Sequence, residues 1–292
     1  MVKLTTPQRV NNVLLTLGLR APRNGAGGVE MIGMVRALGA AMALAGLMAL
    51  PTVASAGAVT VLDTYYGGSN AYNDHPPVSG DVIGSSTFEI QSAVFERIGV
   101  GGDTLRVIIN TNYAGAPEAG GSLGTGYGDL FITPGVNAWT PQGTGPDYHL
   151  DTYQAGDWAY AFTMPFNPGA GNTTGAGALY DTTGGAIVQS NVGGVFTGAN
   201  FRNKQAVRFT PGGPAPAALG TWTVGLNKVV FDIQDNHALG DNFAFSWAMT
   251  CANDVIQGNV GLVPEPSSWA LMIVGFGFAG ASLRRRKVTA SA

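Results

Sequence analysis

Phe243-Ala244-Phe245-Ser246-Trp247-Ala248-Met249 places a large apolar side chain at every second residue and a small one between. A period of two sends alternate side chains to opposite faces of an extended chain, so this stretch predicts a strand with its rings in a core. The same pattern recurs further towards the N-terminus. Trp158, Tyr160, Phe162 and Met164 alternate with Ala159, Ala161 and Thr163; Leu105, Val107 and Ile109 alternate with Arg106, Ile108 and Asn110. Further strands are expected over 87–98, 129–133, 206–210, 222–226 and 228–233, with Gly101-Gly102-Asp103 as a hairpin turn. No internal stretch holds a helical period, and 44 glycines and 16 prolines punctuate the short strands. These patterns predict an all-β fold over 57–262, a single antiparallel β-sandwich of jelly-roll type. Its core is expected to hold Trp158, Phe162, Phe243, Phe245 and Trp247. Long glycine-rich connections are expected over 67–80, 114–128, 134–153 and 165–177.

Each end of the chain has a different chemistry. Arg36, an apolar run over 37–50, Pro51 and the small-residue pattern Ala54-Ser55-Ala56 read as a secretory signal peptide over 31–56, cut after Ala56. Residues 1–30 show no core face. They read as an extension from a misassigned start, disordered if translated, with Met31 or Met34 as the natural initiator; an unusually long basic lead is the alternative. At the other end, Val263-Pro264-Glu265-Pro266-Ser267-Ser268-Trp269 precedes an apolar run and then Arg284-Arg285-Arg286-Lys287, with residues 288–292 as a short tail. The prolines fix φ and lack amide donors, so this segment should be extended. Trp269 stands where an interfacial ring is expected, and the basic cluster is a positive-inside signal. A transmembrane helix over 269–283 has 15 residues, short of the roughly 20 a full span needs. Such a segment suits a removable anchor better than a permanent one.

This tail closely resembles the PEP-CTERM sorting signal of Gram-negative bacteria. Pro264-Glu265-Pro266, Trp269, Ala270, the glycine-rich Gly275-Phe276-Gly277 and the cluster of Arg284, Arg285, Arg286 and Lys287 occur in the family's order. The same kind of tail also goes by the name ice-binding protein C-terminal domain, which implies nothing about ice binding by the rest. The resemblance implies an exported protein held in the inner membrane and handled at or near Pro264-Glu265-Pro266 by exosortase, a membrane cysteine transpeptidase. It further implies a final place at the cell surface or in the extracellular matrix, since such proteins are associated with polysaccharide production and biofilm. The stretch from Trp247 to Ile256 also resembles the closing segment of some alphaproteobacterial members, and it transfers no activity. The implied partners are the Sec translocon, exosortase, the inner membrane transiently, and extracellular polysaccharide.

Between the two signals, six Lys and Arg stand against 16 Asp and Glu, a net charge of −10 with His neutral. That argues against nucleic acid and anionic lipid as partners of this region, and it permits divalent cations and neutral glycans. Asp232, Asp235 and Asp241, with Asn236 and Asn242, offer the oxygen donors that structural calcium requires, although no EF-hand spacing is present. Ordinary turn chemistry explains the same residues. Trp139, Tyr148 and Tyr153 lead the loop aromatics that could stack on sugar rings; otherwise they close the ends of the core. Gly120-Gly121-Ser122-Leu123-Gly124 has the spacing of a nucleophile elbow but lies in a glycine-rich loop rather than between strand and helix. His75, His149 and His237 show no metal-ligand spacing. Gly275 to Gly280 fits the dinucleotide pattern, but inside the apolar segment its small residues read as helix-packing positions. Cys251, the sole cysteine, is expected to be buried or to be free for an intermolecular bond.

Three classes of function compete. A structural or adhesive envelope protein needs neither a catalytic residue nor a cofactor and tolerates glycine-rich loops. A carbohydrate-binding module, calcium-dependent in one form, needs an exposed aromatic platform. A hydrolase needs paired carboxylates or a nucleophile beside a base, and no motif here supplies them. The sequence reading favours the first, with the second as its alternative.

Overall fold

The computed structural model describes residues 57–64, 82, 86–115, 125–142, 151–169, 171–190, 202–262, 272–281 and 284. Its strands are β1 (Val59–Leu62), β2 (Ile90–Ile98), β3 (Thr104–Thr111), β4 (Leu130–Pro134), β5 (Tyr160–Thr163), β6 (Thr173–Asp181), β7 (Gly185–Gln189), β8 (Ala206–Pro211), β9 (Ala218–Gly225), β10 (Lys228–Ile233), β11 (Asn242–Ala248) and β12 (Val255–Gly261). A helix, α1, follows over 272–281. Ten strands form one antiparallel sheet in the order β1-β2-β3-β10-β9-β6-β5-β4-β11-β12, and β7 and β8 form a separate ribbon. The all-β antiparallel class with one C-terminal helix is the one the sequence predicts. Its two facing layers are halves of one rolled sheet.

The roll brings β12 beside β1 and β2, with Gly258 of β12 against Val61 of β1. No hydrogen-bonded ladder joins β12 to β1 among the described residues. The seam is held by other means. Asp254, fully buried at the start of β12, accepts the Ile90 amide of β2 at 2.6 Å and the Val255 amide at 3.0 Å. The buried Arg202 guanidinium lies 3.2 Å from the same carboxylate and donates to the Asn253 carbonyl at 2.7 Å.

Alternation in β11 sorts its side chains into two cores. Phe243, Phe245 and Trp247 enter the interior of the roll with Phe95, Phe162 and Phe231; Ala244 and Ala248 face a second cluster with Phe131, Trp158, Ala161, Val207 and Phe209. The β7–β8 ribbon thus covers β4, β5 and β11 from outside, which buries that part of the sheet on both faces. Trp158, expected in the core, is buried in this outer one. Cys251 is buried in the inner core, and burial pushes its thiol pKa up.

One expected loop is a strand. Residues 165–177 read as a glycine-rich connection, yet β6 already includes Gly175 and Gly177 and pairs with β5 and β9. A Cβ at Gly175 would stand 2.4 Å from the Trp222 ring, and one at Gly177 would stand 2.4 Å from the Phe162 ring. These glycines make room for aromatic rings, which is the close-approach use of glycine inside a strand.

Asp129 joins the ribbon to the sheet. Its fully buried carboxylate accepts the Phe209 amide at 2.7 Å and the Met164 amide at 3.1 Å, with the Arg208 guanidinium 3.5 Å away. Desolvation outweighs these donors and raises its pKa from 3.8 to about 6.

Two outcomes follow from this packing. Phe245 meets the Phe95 ring at 4.5 Å, nearly edge-on; Phe245→Ala should cost about 3–5 kcal/mol in urea unfolding of residues 57–262, and a near-neutral result would remove the ring from the core. Asp129 binds its proton more tightly folded than unfolded. Its contribution is therefore fully present below the unfolded pKa and is lost as pH rises through about 6, a swing of about 3 kcal/mol. Measured against Asp129→Asn, the wild type should gain stability on acidification across this window, and a pH-independent gap would refute the assignment.

Candidate functional site

The rolled sheet ends at Leu262. β12 pairs with β11 as far as Gly261 opposite Asn242, and the Leu262 amide then donates to the Asp241 carbonyl at 2.7 Å. The Leu262 side chain is 4% exposed and belongs to the inner core. Beyond it, Met272, Ile273, Val274, Phe276 and Phe278 of α1 are all exposed, and no atom of the described residues approaches the positions a Cβ would take at Gly275, Gly277 and Gly280. A helix that is apolar on every side and uncovered by its own protein is suited to lipid or to another helix. Among the described residues no helix is long and apolar enough to cross a membrane. α1 covers the middle of the expected 269–283 segment, and Arg284 beyond it is exposed. Pro264, Glu265, Pro266, Trp269, Arg285 and Arg286 lie outside the described residues, as do residues 1–30, the signal segment 31–56 and its Ala54 and Ala56.

The three aspartates read as calcium donors are turned to arginines. Asp232 of β10 takes a two-pronged contact from Arg106 of β3, Nε to Oδ1 at 2.7 Å and Nη2 to Oδ2 at 2.9 Å. This pair raises the Arg106 pKa, chiefly through the hydrogen bond. Asp235 is buried, with Arg97 Nη1 at 2.5 Å from Oδ1 and the Leu239 amide donating to Oδ2 at 3.0 Å. Asp241 lies 3.5 Å from Arg97 Nε, and Arg97 Nη2 also donates to the Gly240 carbonyl. Among the described residues no three His, Cys, Asp or Glu come together as metal ligands would. His237 sits at positive φ with its Nε2 2.8 Å from the Gly101 carbonyl oxygen. The segment 120–124, His75 and His149 lie outside the described residues.

The aromatic platform takes a different form from the exposed one considered above. Trp139 is 8% exposed and stacks on Trp158, with ring centroids 6.3 Å apart and planes 20° apart. Asn259 of β12 holds it by both backbone groups, accepting from its amide at 3.2 Å and donating to its carbonyl at 2.8 Å. Tyr153 is half-buried against the same outer core, and burial raises its pKa. Tyr148 lies outside the described residues. Trp139 and Tyr153 thus close the outer core, the alternative use given above for loop aromatics. What sequence reading missed is the set of arginine partners: Arg97 and Asp235 are 138 positions apart, and only the register of the roll brings them together.

Arg97→Met should cost about 3–5 kcal/mol, because it strands the buried Asp235 carboxylate without its cation. Pairing Arg97→Met with Asp235→Leu should restore much of the loss, read as urea midpoints. A single variant as stable as the wild type would show that the pair does not hold the fold.

Residues 262–287 match the family model of the PEP-CTERM protein-sorting motif. No curated protein and no solved structure matches the chain. The matched motif implies export, membrane anchoring before processing, and exosortase as the processing partner. The match opens at the residue where the core closes: over residues 262–287 this chain carries a PEP-CTERM protein-sorting motif.

Proposed function

We propose that the chain leaves the cytoplasm through the Sec translocon, loses its signal after Ala56, and is released by exosortase to the cell surface or extracellular matrix. There its domain serves as a non-enzymatic structural or adhesive component linked to exopolysaccharide or biofilm. The observation that carries this reading is the junction at Leu262, where a finished core meets a sorting motif. A cut at Pro264-Glu265-Pro266 removes the apolar segment and the basic cluster without touching a core residue. Support for a structural role comes from the use of buried charge. Asp129, Asp235 and Asp254 each receive amide and guanidinium donors that fasten one strand or turn to another. This is the chemistry of a scaffold: the donors hold these carboxylates in fixed positions within the fold.

Mass spectrometry of envelope and extracellular fractions, from host cells with and without exosortase, tests the proposal. The normal cells should yield a chain that begins at Gly57 and lacks residues 284–287, and the deficient cells should retain those residues in the membrane fraction. An intact C-terminus in normal cells would overturn the processing claim. Turnover of any glycan by residues 57–262 would overturn the non-enzymatic one.

A further inference from the structure

Both ends of the rolled sheet's chain emerge at the same pole. Val59, the first residue of β1, pairs with Phe95 of β2; the Phe95 ring lies 5.5 Å from that of Phe243; Phe243 pairs with Val260 near the end of β12. Two residues beyond Phe95, Arg97 contacts Asp241, whose carbonyl accepts the Leu262 amide. The β2–β3 turn is at this pole too, because the Asn236 amide donates to the Asp103 carbonyl and His237 contacts Gly101. So is the turn after β4, where the Gly135 amide donates to the Asn242 carbonyl. Each of these turns carries an apolar side chain that the fold leaves uncovered. Val100 is 90% exposed and Val136 is 73% exposed.

We propose that this pole faces the bilayer while the precursor is anchored, with Val100 and Val136 resting in the headgroup boundary. The proposal builds on the reading of the tail as a membrane anchor and adds which surface of the domain meets the lipid. Tether length favours it. At most nine residues, 263–271, lie between Leu262 and the first described residue of α1, so the tether reaches no further than roughly 30 Å. β2, also nine residues long, spans about 30 Å from one end to the other. The opposite pole, marked by Leu226 in the β9–β10 turn, meets the bilayer only with the tether stretched to its limit. Charge permits the approach. Asp235 and Asp241 at this end face Arg97, Asp103 in the β2–β3 turn accepts from the Thr104 hydroxyl, and the net charge of −10 opposes anionic headgroups but not zwitterionic ones.

The test uses the full chain in phosphatidylcholine vesicles that contain a lipid spin-labelled near the headgroup. Single cysteines are placed by Val100→Cys, Val136→Cys or Leu226→Cys and labelled with an environment-sensitive fluorophore. Cys251 stays in place because it is buried, and the wild-type chain sets the labelling background. The chain should float with the vesicles, and probes at 100 and 136 should lose emission to the spin label while the probe at 226 keeps it. Flotation with equal emission at all three positions would overturn the proposal and leave the anchor reading intact. A chain that does not float would overturn both. Adding Val136→Asp to the Val100→Cys chain should weaken quenching at 100 without abolishing flotation, and unchanged quenching there would count against a shared contact.

Discussion

Two arginines close what the backbone leaves open. A ten-stranded sheet that rolls until its edges meet, yet forms no ladder between them among the described residues, needs another source of cohesion along the seam. At one end Arg202 and Asp254 clamp the start of β12 to the first amide of β2. At the other, Arg97 gathers Asp235, Gly240 and Asp241 onto the end of β2. Between the clamps, the Phe95 ring packs against Phe243 and Phe245. Charges this deeply buried are tolerated only when their remaining donors and acceptors are also met. The carboxylates meet that condition with backbone amides, so each clamp also fixes a turn. This arrangement allows the edges to be adjacent without matching in register.

The parts of this architecture that were readable in the sequence are the local ones. β3, β5, β10 and β11 announce themselves because an apolar side chain every second residue needs no knowledge of distant partners. The sorting tail is readable for the same reason, since its motif, apolar segment and basic cluster are contiguous. Glycine defeats the method in β6. At Gly175 and Gly177 the missing side chain is a packing feature, and its cause lies in Trp222 and Phe162, which no local window shows. Trp139 was ambiguous between stacking platform and end cap because its position in a loop carried no information about Asn259, 120 positions away. The aspartates near the C-terminal end are neighbours in sequence, while the fold divides them between Arg97 and Arg106.

The small residues of β11 and β5 show how a pattern can be right about structure and silent about its depth. Ala161, Ala244 and Ala248 alternate with the rings, so they fall on the outer face of the sheet. On a one-layered surface that face would meet water. Here it meets β8, and the small side chains let Val207 and Phe209 approach closely enough to build a second core. The alternation therefore fixes which face each residue takes, and the ribbon decides what that face touches. Asp129 is the polar pin through this interface, linking the backbone of β8 to the strand end of β5.

Cys251 has a consequence for how copies of this protein can be connected. It is the chain's sole sulfhydryl, and it is sealed in the inner core with its ionisation suppressed by burial. Only a thiolate attacks an oxidant or a disulfide, so the folded domain is chemically mute in redox exchange. Copies cannot be riveted together by oxidation without first unfolding.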